Sequence, residues 1–239
     1  MLATALDIKP IRIAPSAPFA RQSATNGADN GSARWHLLGA TRTIAAREHV
    51  FCAGDARRHV YQLQSGLVRI YSVLADGRRQ VVDFAFPGDL IGLEAGATYP
   101  FSAEAAAPSR LNCIPVATLT EHLRSDPGFA VELYERMSRG MNGTRDMLVT
   151  MGRRSALERV ASFMVALARR NAAGGNPGGV IALPMTRSDI ADFLGLTIET
   201  VSRTITRLRQ MHLIRLRTCT EVEMLDLSGL IALADGSAS

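Results

Sequence analysis

The sequence predicts an α+β protein made of an N-terminal β-roll, a long helix and a C-terminal winged helix-turn-helix. Three patterns indicate this fold: short β-branched and aromatic runs up to about residue 117, a heptad-like apolar stripe after Pro127, and two helical patterns that are joined by Gly195 and followed by two strand patterns. We expect a loose tail at 1–32, the β-roll at 33–125, the long helix at 126–152 and the winged helix at 153–239.

The charge balance is basic and favours an anionic partner. The formal net charge is +5 and the pI is about 9.6, a balance typical of proteins that bind nucleic acid. Lys9 is the only lysine, so arginine supplies nearly all of the positive charge. Arginine suits bidentate contacts with phosphate and guanine, although a GC-rich genome is the better explanation of the bias itself.

The cysteines and the apolar stretches indicate a cytoplasmic protein. Cys52, Cys113 and Cys219 lie far apart without a CxxC pair, and the odd number argues against a disulfide framework. The N-terminal residues lack the basic region and apolar run of a signal peptide. No stretch approaches the roughly 18 apolar residues of a membrane span. We therefore expect a reducing compartment and no membrane partner.

Turn dipeptides divide the β-rich part into short strand patterns. They are Ser65-Gly66, Asp76-Gly77 and Pro87-Gly88. The Asp-Gly pair between "VRIYSVLA" and "RRQVVDFAF" predicts a hairpin, because both residues tolerate positive φ. Many short strands with regular turns are typical of a β-roll or barrel.

The long helix carries an apolar stripe with spacings of four and three. Its members are Phe129, Leu133, Met137, Met141, Thr144, Leu148 and Met151. We expect the last six to form a dimer interface, with Gly140 and Gly143 allowing a second helix to approach closely. The alternative is that the stripe packs on its own β-domain.

The C-terminal segment has the caps and turn of a helix-turn-helix. Thr186 is the expected N-cap of the first helix, with Asp189 in capping-box position. Gly195 makes the turn and Thr197 caps the second helix, "IETVSRTITRLRQ". The stretch "LIRLRTCTEVEMLDL" predicts two strands that form a wing.

The second helix has an apolar face and an opposite polar face. Val201, Ile205 and Leu208 share the first face, which must pack inward. The polar face groups Glu199, Ser202, Arg203 and Thr206 near the N-terminal end, which reaches base edges in a helix-turn-helix. A solvated face with a Glu199–Arg203 pair is the alternative. The surrounding arginines favour base recognition, with glutamate accepting from a cytosine amine and arginine donating to guanine.

Two blocks of the sequence resemble the CRP/FNR superfamily of bacterial transcription regulators. They are "SGLVRIYSVLADGRRQVVDFAFPGDLIGL" and "MTRSDIADFLGLTIETVSRTITRLRQMHLI", and the resemblance extends from about residue 35 to 230. The run Glu199 to Arg203 is similar to the E-x-x-S-R motif of the FNR and FixK branches, whereas the CRP branch has glycine in place of Ser202. "FSAEA" at 101–105 is also FixK-like.

The resemblance implies a homodimeric regulator whose β-roll is a jelly roll of the cyclic-nucleotide-binding type. Each protomer would place its reading helix in the major groove of a TTGAT-N4-ATCAA palindrome. Arg203 would contact guanine, Glu199 the cytosine amine, and Ser202 the outer thymines. Five residues match family positions that touch phosphate: Arg187, Ser188, Thr197, Thr200 and Arg217. An activator of this kind contacts RNA polymerase and controls microoxic, anaerobic or nitrogen-fixation genes.

The sensor features of two branches of the family are missing. A cyclic-nucleotide site needs an Arg-Ser pair, but Phe101 precedes Ser102, and Glu94 alone cannot hold a phosphate. An iron–sulfur cluster usually needs four cysteines, and residues 1–51 contain none. Cys113 lies near the position of the remaining cluster ligand, and we expect it to be a buried structural residue. We therefore expect no cofactor and no metal.

Other functions stay open at this point. Cys219, at the expected wing tip, is a candidate redox residue. A haem-responsive regulator would need an axial ligand such as His49, His59 or Cys52. The non-regulatory alternative is a β-roll that binds a small molecule or acts as an enzyme, with the helical end serving only as a dimer module. The histidines form no HxH or HxxxH pair, which argues against a metalloenzyme, and we expect no enzymatic activity.

Overall fold

The computed structural model describes residues 34–35, 37–173 and 179–236. The predicted tail at 1–32 lies outside the described residues. The Gly/Pro-rich stretch "NAAGGNPGG" at 171–179 predicts a loop, but residues 171–173 belong to a helix and 174–178 lie outside the described residues. Among the helices within the described ranges, none combines the length and the apolar character that a membrane span requires.

The N-terminal part is an antiparallel β-roll, as predicted. Its strands are β1 (Ala40–Ile44), β2 (His49–Phe51), β3 (His59–Val73), β4 (Arg79–Ala85), β5 (Leu90–Ile91) and β6 (Ser102–Pro115). The strand order is β1-β6-β3-β4, with β2 also paired to β6 and β5 to β3. Alternate residues of the long strands, such as Leu63, Val68 and Leu111, are fully buried inside the roll.

The predicted break at Ser65-Gly66 is wrong, because β3 continues through it. The pairing of β3 with β6 shifts register between Leu63 and Leu67, which marks a β-bulge. Gly66 has a φ of 95°, and a Cβ there would lie 2.2 Å from Ser109 Oγ. Only glycine fits this close approach between two strands.

The predicted Asp76-Gly77 hairpin is confirmed, with a different use of its two residues. Strands β3 and β4 pair antiparallel on either side of the turn. Gly77 has a φ of 81°, whereas Asp76 does not adopt a positive φ. The Asp76 carboxylate instead accepts a hydrogen bond from the backbone N–H of Arg78 at 3.0 Å.

Three helices follow the β-roll: α1 (Val116–Ser125), α2 (Pro127–Arg153) and α3 (Ala156–Ala173). Helix α1 is an element that the sequence reasoning did not anticipate. Helix α2 begins at a proline, which has no N–H to lose in a first turn. Just before it, Asp126 Oδ1 accepts from the N–H of Phe129 at 3.0 Å.

The structure corrects the interface prediction at Leu133. Leu133 is buried in its own chain, in a cluster with Trp35, Phe129 and Leu119. A heptad stripe drifts by about 20° per seven residues on a straight helix, so the N-terminal part of the stripe faces the β-roll. Packing on the chain's own β-domain, the alternative to a dimer interface, therefore holds for the first turns of α2, whereas Met137 and Met141 are exposed.

The C-terminal part is a winged helix-turn-helix, as predicted. It consists of β7 (Val180–Ala182), α4 (Arg187–Leu194), α5 (Ile198–Gln210), β8 (Ile214–Leu216), β9 (Glu221–Met224) and α6 (Leu227–Ala234). The strands form a sheet in the order β7-β9-β8. Thr186 and Asp189 form the capping box of α4, and Gly195 ends that helix with φ 64° and ψ 41°.

Aromatic residues join the winged helix to the β-roll. Phe193 of α4 lies with its ring centroid 5.3 Å from that of Phe84 in β4 and 5.9 Å from that of Phe163 in α3. All three side chains are essentially buried. The position of α4, and of the α5 helix that follows it, is therefore fixed relative to the β-roll by a shared core.

Candidate nucleic-acid interface

Helix α5 buries one face and exposes the other, as its spacing predicts. Val201, Ile205 and Leu208 are at most 2% exposed, and they pack in the core of the winged helix. Glu199, Ser202, Arg203 and Thr206 are all exposed on the other side. The polar residues therefore point away from the domain and are available to a partner.

The N-terminal end of α5 is held by hydroxyl groups. Thr197 is its N-cap and accepts a hydrogen bond from the N–H of Thr200 at 3.2 Å. Arg203 Nη2 lies 3.4 Å from Thr200 Oγ1. No salt bridge joins Glu199 to Arg203, both of which are described residues. The Glu199–Arg203 ion pair, which would be expected if this face were only solvated, is thus absent.

The residues predicted to contact phosphate lie in the first turn of α4, at the start of α5 and in the wing. Arg187 and Ser188 are half-buried in the first turn of α4. Burial lowers the pKa of Arg187, and its Nη1 has no hydrogen-bond partner in the described structure. Thr197 and Thr200 lie at the N-terminus of α5, where backbone N–H groups and the helix dipole favour an anion.

The wing arginines are paired with a carboxylate. Arg217 Nη2 lies 3.2 Å from Glu223 Oε1, and Arg215 Nη1 lies 3.1 Å from Glu223 Oε2. The hydrogen bond from Arg217 lowers the pKa of Glu223. A phosphate at this place would therefore compete with Glu223 for the guanidinium of Arg217.

The three cysteines differ in exposure. Cys219 is exposed between β8 and β9, at the tip of the wing, and Cys52 is exposed on the β-roll. Cys113 is half-buried, and burial raises the pKa of its thiol. Within the described ranges, no group of three or more Cys, His, Asp or Glu side chains has the arrangement of a metal site.

A cavity of about 340 Å³ lies between helix α2 and residues 88–95, a segment that includes β5. Glu94 and Arg136 line it, together with Met137 and Met141. Glu94 Oε2 is buried without a hydrogen-bond partner in the described structure. Arg136 is committed to Glu132, whose Oε1 lies 2.9 Å from its Nη2. On strand β6, the Ser102 hydroxyl accepts from the N–H of Ala53 at 3.0 Å, so this serine serves the backbone.

Besides helix α1, two features of the structure were missed by sequence reasoning. Val131 and Tyr134 add exposed apolar surface to α2, at 57% and 71% exposure. Tyr134 stands three residues before Met137 and could have been found from that helical spacing, whereas Val131 lies away from the stripe. Arg69 and Arg79 of the β-roll pair with Asp189 and Asp192 of α4. No local pattern indicates that pairing, because more than a hundred residues separate the partners.

An exposed polar face on the second helix of a winged helix-turn-helix, attached to a β-roll, defines a DNA-binding regulator. Residues 158–233 match the model of the Crp-like helix-turn-helix domain, and residues 41–126 match that of the cyclic nucleotide-binding domain. The chain belongs to the CRP/FNR family of transcription regulators, among its FixK-like members.

Relatives and a solved structure support this assignment. The nitrogen fixation regulation protein FixK of Rhizobium meliloti is 39% identical over 193 residues, which cover 81% of this chain and 86% of that protein. FixK of Azorhizobium caulinodans is 40% identical, with 81% and 78% covered. The structure of FixK2 from Bradyrhizobium japonicum superposes with a TM-score of 0.77 at 32% identity, covering 82% of this chain and 98% of that one.

Proposed function

We propose that this chain is a homodimeric activator that binds a TTGAT-N4-ATCAA palindrome and contacts RNA polymerase. Its relatives named as FixK regulate nitrogen fixation, and we extend that role, with microoxic or anaerobic gene control, to this protein. The observation that carries the proposal is the exposed group Glu199, Ser202 and Arg203 at the N-terminal end of α5.

The three residues match the chemistry of the half-site. The guanidinium of Arg203 presents parallel N–H donors to O6 and N7 of guanine. The Glu199 carboxylate accepts from the N4 amine of the paired cytosine, which offsets its repulsion from phosphate. The Ser202 side chain is small enough to lie against the outer thymines.

Phosphate contacts orient the reading helix without specifying bases. We assign them to Arg187, Ser188, Thr197, Thr200 and Arg217. The unpartnered Nη1 of Arg187 supports its role, since a phosphate oxygen would satisfy it. Arg217 would exchange Glu223 for phosphate, an exchange that the exposure of this ion pair permits.

The dimer is formed by the exposed part of the α2 stripe. Met137 and Met141 are 48% and 53% exposed, and Thr144 is exposed one turn further on. Leu148 and Met151 belong to the same stripe, and their side chains lie outside the described residues. The partner's α2 would cover this apolar face and the mouth of the adjacent cavity.

We propose that the abundance of this protein sets its activity, without a required ligand. The protein would act in the cytoplasm and catalyse no reaction. A ligand-responsive regulator is the second candidate, and the buried, unpartnered Glu94 Oε2 in the cavity favours it. An absorption spectrum and native mass of protein purified under argon separate the two. A colourless dimer that binds DNA and has twice the mass of the bare chain supports the first.

The test of base reading is Arg203→Ala. Because a bidentate contact to guanine is lost, operator affinity is expected to fall by roughly 1–3 kcal/mol, and the preference at that one base pair to relax. Fluorescence anisotropy with duplexes that vary each half-site position measures both. Arg209→Ala removes the same charge from the far end of α5 and should leave base preference unchanged.

The proposal fails if the unaltered protein binds a TTGAT palindrome and a scrambled duplex equally well. It also fails in its base assignment if Arg203→Ala weakens all sequences alike, since that behaviour belongs to a phosphate contact. Salt dependence gives an independent check, because counterion release makes affinity for DNA fall steeply with salt concentration.

A further inference from the structure

Two arginines of the β-roll reach across to helix α4 of the DNA-binding domain. Arg79 Nη2 lies 2.9 Å from Asp189 Oδ1 and 2.7 Å from Asp192 Oδ2. Arg69 Nη1 lies 3.1 Å from the same Asp189 oxygen, and its Nη2 lies 2.5 Å from Glu104 Oε1 within the roll. We call these five residues the interdomain ion-pair network.

Arg69 and Asp189 are the buried arginine and aspartate of the network, whereas the side chains of Arg79 and Asp192 are 28% and 26% exposed. The Asp189 side chain is 1% exposed and that of Arg69 is 11% exposed. Removing the cation from a buried carboxylate is strongly unfavourable, whereas removing one partner of a surface ion pair costs little. The domain arrangement in which both arginines face α4 is therefore favoured over rotations that separate them.

The network acts on the helix-turn-helix through its capping box. Asp189 Oδ1 faces the arginines, whereas Oδ2 accepts from the hydroxyl of Thr186 at 2.7 Å and from its N–H at 3.1 Å. One carboxylate therefore ties the start of α4 to β3 and β4. Since α4 and α5 share a core, a rotation of α4 carries the reading face of α5 with it.

The apolar contact beneath the network cannot supply the same precision. Phe84 and Phe193 hold the domains together, but burial of apolar area is non-directional. Guanidinium–carboxylate pairs have defined geometry. Arg79 uses both Nε and Nη2 on Asp192, at 2.9 and 2.7 Å, which fixes an angle as well as a distance.

We propose that the interdomain ion-pair network sets the half-site spacing that this protein selects. In a dimer joined along α2, the distance and angle between the two reading helices depend on how each winged helix sits on its own β-roll. Arg69 and Arg79 are positioning residues that touch no DNA. The proposal rests on the proposed dimeric, palindrome-binding function and deepens it.

The experiment compares palindromes whose spacers differ in length, together with a duplex that carries a single half-site. The unaltered protein is expected to prefer the N4 spacer. Arg79→Gln should lower the preference for N4 over N3 and N5 by about tenfold, in the range of typical couplings between distant sites. Affinity for the single half-site should stay the same, because Glu199, Ser202 and Arg203 are untouched.

The matched control is Arg78→Gln. Arg78 is adjacent and carries the same charge, but its side chain is 77% exposed and pairs with Asp76 in its own turn. Arg79→Lys keeps the charge without the two-nitrogen contact and should recover part of the preference. In the double variant Arg79→Gln with Asp192→Asn, the loss should be smaller than the sum of the two single losses.

Several outcomes overturn the proposal. An unchanged spacer preference in Arg79→Gln shows that the network does not position the helices. A rise in operator affinity shows that the contact instead restrains the protein from binding. If Arg79→Gln fails to fold, Asp192→Asn tests the same contact from the other domain. If the unaltered protein prefers no palindrome over scrambled DNA, the proposed function fails first, which is a distinguishable result.

Discussion

At the residue scale, Asp189 shows how one side chain serves local and distant structure together. Its position three residues after Thr186 identifies the capping box from sequence alone, and the structure confirms it. The same carboxylate also receives Arg69 and Arg79 from the β-roll. A cap at this site could have been filled by glutamate or glutamine, so the shorter aspartate fits a place where two arginines also converge.

Thiol reactivity is a residue-scale consequence of burial. Cys52 and Cys219 are exposed, whereas burial raises the pKa of the Cys113 thiol. The thiolate is the reactive form, so Cys113 should react only at higher pH. Limited treatment with a maleimide near pH 7 should modify Cys52 and Cys219 well before Cys113, as measured by peptide mass spectrometry.

Unfolding in urea is the control, because the three cysteines should then react with the maleimide at similar rates. Equal labelling in the folded protein would contradict the burial of Cys113.

The proposed redox role of Cys219 predicts in addition that peroxide weakens operator binding by the unaltered protein. If Cys219→Ser loses the same affinity under peroxide, the wing thiol is not the redox residue.

At the element scale, strand β3 shows where turn dipeptides mislead. Ser-Gly predicts a turn, but at Gly66 it makes a bulge inside β3. This strand pairs with β6 both before and after the bulge. The same glycine chemistry, a positive φ, serves both structures. Only the strand that lies across from Gly66 decides between them, and β6 is distant in sequence.

A pair of glycine substitutions separates backbone strain from close packing. Gly54 and Gly66 have nearly equal φ values of 90° and 95°. A Cβ at Gly54 meets no atom within 4 Å, whereas one at Gly66 would clash with Ser109 and Pro108. Gly54→Ala should cost about 1–2 kcal/mol of unfolding free energy from φ alone, and Gly66→Ala about 1–3 kcal/mol more from overpacking.

Urea unfolding followed by circular dichroism measures both losses. Equal losses for Gly54→Ala and Gly66→Ala would mean that the approach of β3 to β6 is looser than the structure indicates.

The element scale also accounts for the one corrected interface residue, since Leu133 turns towards Trp35 as the stripe drifts around α2.

At the scale of the whole molecule, the two domains form a protomer whose remaining apolar face lies on α2. Met141→Glu places a carboxylate in the middle of that face, next to its symmetry mate in the proposed dimer. The variant should shift to monomers and lose its preference for palindromes over single half-sites. Sedimentation velocity and anisotropy measure the two effects.

Val131→Glu is the matched control for the dimer. Val131 is also exposed, at 57%, but lies roughly 120° around α2 from the centre of the proposed interface. This variant should remain dimeric. A dimeric Met141→Glu protein would place the interface elsewhere and would remove the basis for the spacing proposal as well.

Local patterns in the sequence specify the fold class, the two helices of the reading domain and their caps, and the face that α5 exposes. These features depend on periodicity and on residues within a few positions of one another. The tertiary structure decided that Ser65-Gly66 is a bulge, that Leu133 is buried, and that Arg69 and Arg79 hold α4. Each depends on a contact between segments far apart in the chain, whose distance and burial no local pattern encodes.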